Sequence, residues 1–189
     1  MSNAIEIEAK ALVNKEEYGR LVKRFKEYPS FSQTNYYIDT ERSDLRVDGL
    51  GLRIREKDNS YEMTLKAPLS QGLLEKTARL SKEEFNSFTK KGVFPENDLK
   101  RFLTMLDIDV NELHILASLR TERTDIPYLG GKLSLDKNEY NGLTDYEIEL
   151  EFNNEADAEK LLKELFNEEG IHFEINKRPK SIRALDSRK

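Results

Sequence analysis

The sequence predicts an α+β protein, an antiparallel β-sheet with helices packed against it, and three observations carry this. Several short stretches alternate apolar and charged residues at the period of two required by a strand with two different faces. Helix-capping patterns precede stretches whose apolar residues recur at helical spacing. Glycines fall between alternating stretches, where the chain must reverse. No low-complexity tract, linker-like stretch or fixed-period repeat divides the chain, so one domain is expected over residues 1–189.

Taken in order, IEIEAK sets Ile5, Ile7 and Ala9 against Glu6, Glu8 and Lys10, a strand pattern. Asn14 with Glu17 makes a capping box for a helix with Tyr18, Leu21, Val22 and Phe25 on one side. Gly49 and Gly51 read as a turn into LRIREK, where Leu52 and Ile54 alternate with Arg53 and Arg55. In YEMTLK, Tyr61, Met63 and Leu65 oppose Glu62, Thr64 and Lys66. GLLEKTARL is less regular but puts Glu75, Thr77 and Arg79 on one parity. Ser81 with Glu84 opens a second helix, and a short one is expected near Leu99 to Leu106. Gly130 and Gly131 turn the chain into KLSLD, with Leu133 and Leu135 against Lys132, Ser134 and Asp136. YEIELEF sets Tyr146, Ile148, Leu150 and Phe152 against Glu147, Glu149 and Glu151. A last helix opens at Asn154 and Asp157, buries Ala158, Leu161, Leu162, Leu165 and Phe166, and stops at Gly170.

Composition narrows the function. Lys and Arg number 31 against 36 Asp and Glu, a net charge of −5 without the basic excess of a nucleic-acid or membrane-surface binder. The absence of cysteine excludes disulfides, thiolate zinc sites and cysteine nucleophiles, and two histidines, His114 and His172, exclude an imidazole-rich metal centre. No signal-like or membrane-length apolar run is present, so a cytoplasmic protein is expected.

The charged strand faces have two explanations. Solvated sheet faces are common, and for any one strand that explanation suffices. Yet solvated faces mix neutral polar residues, whereas these repeat Glu-x-Glu and Arg-x-Arg. Glu147, Glu149 and Glu151, two apart, repel one another unless a cation lies among them, and a divalent ion with oxygen ligands would serve. Arg53 and Arg55, with Lys10 and Lys66, likewise ask for an anion.

IEIEAK fits the ExExK motif, and the chain resembles the CYTH superfamily, the triphosphate tunnel metalloenzymes, in particular the stand-alone CYTH proteins of Firmicutes. LRIRE resembles that family's paired-arginine strand, TLKAP its lysine strand, and TERTDIPY its arginine-to-aromatic segment. LSLD, YEIELEF and PKSIRAL resemble its acidic strand, its EIE strand and its terminal K-x-x-R turn. The resemblance implies an eight-stranded antiparallel β-barrel with helices outside, so that apolar faces point out and charged faces point into a tunnel. It implies a triphosphate grip by Lys10, Arg53, Arg55, Lys66, Arg123, Lys180 and Arg183, with Arg79 less securely aligned. It implies Mg2+ or Mn2+ on Glu6, Glu8, Asp136, Glu147 and Glu149, with Glu151 adjoining, and a catalytic set of Glu6, Glu8, Lys10, Glu147 and Glu149.

The implied activity is metal-dependent hydrolysis of inorganic tripolyphosphate or an organic triphosphate such as thiamine triphosphate. The alternatives are a class IV-type adenylate cyclase, a non-catalytic binder of polyphosphate or nucleotide, and a solvated sheet that binds a protein. The expected partner is a small-molecule triphosphate, with neither nucleic acid nor membrane. Monomer and homodimer both stay open.

Overall fold

The computed structural model describes the backbone of residues 2–70 and 73–188, and the side chains of 7–70 and 73–188. Among these residues nine strands form one antiparallel sheet. They are β1 (Ser2–Glu6), β2 (Glu8–Val13), β3 (Ser30–Asp39), β4 (Gly51–Lys57), β5 (Ser60–Pro68), β6 (Leu73–Leu80), β7 (His114–Tyr128), β8 (Gly131–Tyr140) and β9 (Leu143–Glu151). The spatial order is β1-β6-β5-β4-β3-β7-β8-β9-β2.

That order is linear, yet its two ends are consecutive in the chain. Only Ile7 separates β1 from β2, and its carbonyl accepts a hydrogen bond from Phe152 N at 3.0 Å. One residue spans less than 4 Å, so the sheet must curl until its ends meet. The eight strands expected become nine because IEIEAK is shared between both ends, with β1 pairing β6 and β2 pairing β9.

The reversals use residues suited to them. Asp58-Asn59, Leu129-Gly130 and Asn141-Gly142 are two-residue hairpin turns with both φ angles positive, the geometry that matches strand twist. Gly131 has a different reason: a Cβ there would lie 2.5 Å from the Glu151 carbonyl oxygen and 2.6 Å from a Phe152 ring carbon.

The helices are α1 (Lys15–Arg24), α2 (Asp44–Val47), α3 (Lys82–Lys91), α4 (Asp98–Met105), α5 (Glu155–Glu168) and α6 (Lys180–Asp186). Both capping boxes are present, Asn14 with Glu17 and Ser81 with Glu84, and Gly170 follows α5 with φ +62°. PKSIRAL, expected as a turn, is helical from Lys180 on. Pro179 explains this, since its fixed φ leads into a first turn without loss of a needed donor. None of the described helices is long and apolar enough to cross a membrane.

The apolar core lies outside the curled sheet. On one side Leu52, Ile54, Met63 and Leu65 pack with Phe88 of α3 and Leu99 and Leu103 of α4. On the other, Ala9, Ala11, Leu133, Leu135, Ile148 and Leu150 pack with Leu21 of α1 and Leu162, Leu165 and Phe166 of α5. Because side chains alternate, burying these residues outward commits the charged parity to the interior. Gly131→Ala should lower stability by roughly 1–3 kcal/mol, since backbone and a ring must shift to admit one methyl; urea denaturation at constant m-value measures this.

Candidate functional site

The interior holds a cavity of about 330 Å³ lined by charged residues of several strands and by Lys180 of α6. Strand register sets its layers. Lys10 lies opposite Glu149, Arg123 opposite Asp136, and Asp136 opposite Glu147. Across the cavity Arg55 lies opposite Asn35, Arg53 opposite Tyr37 and Thr64, and Lys66 opposite Glu75.

One wall is acidic. Asp136 and Glu147 are 0% exposed, and with Glu149 they can place one oxygen each within 4.8 Å of the others. The like charges are compensated by the protein itself. Arg123 donates from Nε to Asp136 Oδ1 at 2.6 Å and from Nη2 to Asp136 Oδ2 at 2.5 Å and Glu149 Oε2 at 2.6 Å. Lys180 Nζ sits 2.7 Å from Asp136 Oδ2 and 2.6 Å from Glu147 Oε2, and also donates to Glu149 Oε1. Burial would depress the Lys180 ammonium, but Asp136, Glu149 and Glu147 overrule it and hold its pKa above the ordinary lysine value. Burial would also raise the Glu149 carboxyl; Lys180, Arg123 and Lys10 instead hold it well below the usual range. An all-oxygen set of three converging carboxylates fits a hard divalent cation.

The opposite wall is basic. Arg53 Nη2 lies 3.9 Å from Glu75 Oε1 and Lys66 Nζ 2.7 Å from the same oxygen. Arg53 Nε is buried without a hydrogen-bond partner. Arg55 donates from Nε to Asn35 Oδ1 at 3.3 Å. Repulsion from Arg53, then burial, then Arg123 push its pKa down to about 10. On this wall three cations, Arg53, Arg55 and Lys66, thus gather about Glu75. Glu8 and Lys10 line the cavity as a 2.5 Å pair, and the pKa of Lys10 is raised by Glu8 and Glu149 against its burial.

Three expected residues stand elsewhere. Arg79 has the inward parity but lies beyond the cavity, its side chain 91% exposed and 3.9 Å from Glu62, because β6 runs past the rim there. Glu151 sits half-exposed at the rim in an ion pair with Lys132, outside the carboxylate triad. Arg183 is buried, but its donors are spent. Nε and Nη2 bond Asp145, Nη1 and Nη2 bond Glu147, and Nη1 also bonds the Arg178 carbonyl. That uses all five N–H groups of a guanidinium, so Arg183 fixes α6 against β9 rather than presenting a fork to a ligand. The Glu6 side chain lies outside the described residues.

Other lining residues escaped the sequence reading. Gln33, Asn35 and Tyr37 of β3 share one parity and face the cavity, but they are neutral, and the reading followed full charges. Burial pushes the Tyr37 hydroxyl pKa up, so it remains a proton donor. Asn176 donates to Glu147 Oε1 at 2.6 Å from outside any strand pattern. Asp145, which receives Arg183, was one step back along the Glu147–Glu149–Glu151 alternation.

Two expectations follow. Arg183→Met should cost about 1.5–3 kcal/mol, because Glu147 keeps Lys180 and Asn176 but loses the charged hydrogen bonds that tie it and Asp145 to α6; a phosphate grip would instead leave denaturation midpoints intact and change ligand affinity alone. Glu149 has a folded pKa below its unfolded value, so its contribution to stability is present above roughly pH 4.3 and is lost as pH falls. Thermal midpoints measured from pH 3 to 7 should therefore drop on the acid side more steeply for wild type than for Glu149→Gln.

Comparison with known proteins agrees with this geometry. The CYTH domain family model matches residues 4–181. YjbK of Bacillus subtilis (strain 168), provisionally named a triphosphatase, is 36% identical over 153 residues, 80% of this chain and 79% of that protein. A crystal structure from Bacillus halodurans, provisionally named an adenylate cyclase, matches with TM-score 0.89 and 34% identity over 97% of this chain and 98% of that one. HpAC1 from Hippeastrum, described as having a dominant triphosphatase activity, shares the fold at TM-score 0.79 and 23% identity, over 97% and 95% of the two chains.

Proposed function

The chain belongs to the CYTH domain family, and on that premise we propose that it is a metal-dependent triphosphatase. It hydrolyses the terminal phosphoanhydride of inorganic tripolyphosphate or of a small organic triphosphate such as thiamine triphosphate. The observation that carries this reading is the division of one cavity into an acidic wall and a basic wall on which Arg53 and Arg55 repel each other, Arg55 being held down to about 10 by that repulsion, its burial and Arg123. A polyanion relieves that repulsion.

Arg53 and Arg55 pair nonbridging oxygens through planar forks, and Lys66 and Lys10 act as point charges. Arg53 Nε gains the partner it lacks, and the protonated Tyr37 hydroxyl offers a further donor. Held in line, the terminal phosphoryl is attacked by water while its bond to the diphosphate breaks, a loose transition state stabilised mainly by position and charge. Asp136, Glu147 and Glu149, with Glu8 nearby, would hold Mg2+ or Mn2+, which supplies charge neutralisation for the phosphoryl group and its leaving diphosphate. The reading places the protein in the cytoplasm with a soluble small molecule as its partner.

The triphosphatase name of the Bacillus subtilis relative supports hydrolysis. A second reading, cyclisation of ATP, is favoured by the cyclase name of the Bacillus halodurans protein and by Ile38, Leu50, Ile182 and Leu185, which line the cavity and would accept an organic group. One assay separates the two: purified protein with Mg2+ or Mn2+ against tripolyphosphate, thiamine triphosphate and ATP, with phosphate, pyrophosphate and cyclic AMP measured. The triphosphatase reading expects phosphate from a triphosphate, abolished by EDTA and restored by Mg2+ or Mn2+. Pyrophosphate with cyclic AMP identifies a cyclase, and turnover undiminished by chelator overturns the metal assignment. Arg55→Ala should weaken tripolyphosphate binding by roughly 1.5–3 kcal/mol, the value of a hydrogen bond to a charged group, as read by calorimetry.

A further inference from the structure

We infer that Lys180 is a built-in counter-ion that competes with the divalent cation for the carboxylate triad, and that the cation and the triphosphate therefore enter as a pair. The inference rests on the metal half of the reading above and deepens it. Lys180 Nζ is within 2.7 Å of Asp136 and 2.6 Å of Glu147 and also bonds Glu149, so its three protons meet the three carboxylates that converge for a metal. An ammonium and a divalent ion that each draw on all three carboxylates compete for one position.

Charge gives the same answer. Among the described residues the triad and Asp145, four carboxylates, are met by three cations, Lys180, Arg123 and Arg183, so most of their formal charge is already compensated. A divalent ion added without other change turns that small deficit into an excess of positive charge beside the basic Arg53 and Arg55, in a buried site where such an excess is costly. The carboxylates cannot carry Lys180 outward, since Asp136 and Glu147 are 0% exposed on the strands β8 and β9. Arg183 is locked by its five donor bonds, and Arg123 grips Asp136 with two nitrogens. Lys180 is the mobile party: it heads α6, lines the cavity and carries its charge on four rotatable bonds. Displaced from the triad, its ammonium reaches into the same cavity that takes the phosphates. An incoming triphosphate thus draws Lys180 away while its own charge admits the metal. Each ligand raises the affinity of the other, as linkage requires.

Mn2+ binding followed by electron paramagnetic resonance tests this without relying on turnover. Wild type should bind Mn2+ weakly alone and more tightly with pyrophosphate present. Lys180→Met, checked for native circular dichroism, should bind Mn2+ alone about tenfold or more tightly than wild type, with a smaller gain from pyrophosphate. If that variant is only marginally folded, Mn2+ should raise its thermal midpoint by more than it raises the wild-type midpoint. Unchanged or weaker Mn2+ affinity in a folded variant, or an equal or smaller thermal rise, overturns the inference. Absence of Mn2+ binding in either protein overturns it together with the metal assignment. Hydrolysis of tripolyphosphate is scored separately, so failure of the counter-ion role and failure of the triphosphatase reading give different results.

Discussion

Three carboxylates buried side by side would normally expel one another or take up protons. Asp136, Glu147 and Glu149 stand together because cations from three directions reach them: Arg123 from β7, and Lys180 and Arg183 from α6. Much of the architecture follows from this constraint. Strands β7, β8 and β9 must be adjacent for Arg123 to meet Asp136 and Asp136 to meet Glu147. The C-terminal helix must dock across the end of the curled sheet for its two cations to arrive. A buried charge cluster of this kind is a weak source of stability but an exacting one, since each carboxylate is shared between two cations and the loss of either shifts the balance for its neighbours.

The inversion of polarity has an equally simple origin. An ordinary sheet packs its apolar face inward; here helices α1, α3, α4 and α5 cover the apolar faces from outside, and the polar parity faces itself across the cavity. The alternation in LRIREK or YEIELEF is identical in the two cases, so parity alone predicts two faces and not which is interior. The direction was implied by the resemblance to the CYTH family, with which the chemistry of the charged face agrees. Full charges of one sign two residues apart are tolerable only where opposite charge is organised around them.

Legibility in the sequence followed the same line. Both capping boxes and the apolar stripes of α1, α3 and α5 were readable because their determinants are local. The charged strands were readable because their period is two. Arg79 misled because parity fixes a direction but not a position along the tunnel, and β6 carries it past the rim. Arg183 misled for another reason: a basic residue in a phosphate-type motif looks the same whether its donors are available or consumed, and only the positions of Asp145 and Glu147 decide. The neutral residues of β3 gave no signal, since Gln33 and Asn35 are as much at home in solvent as in a binding cavity.

The division of the first strand at Ile7 has a consequence for solubility. A sheet of this length would ordinarily end in two strands with open rows of N–H and C=O groups, the template on which other chains add and aggregates grow. In this chain a single short segment satisfies both rows, with β1 on β6 and β2 on β9. The protection is economical but concentrated. Detachment of β1 and β2 would uncover two sticky edges at once, those of β6 and β9. The β1–β2 segment thus acts as a zip fastener, and the protein's resistance to self-association depends on how firmly it stays done up.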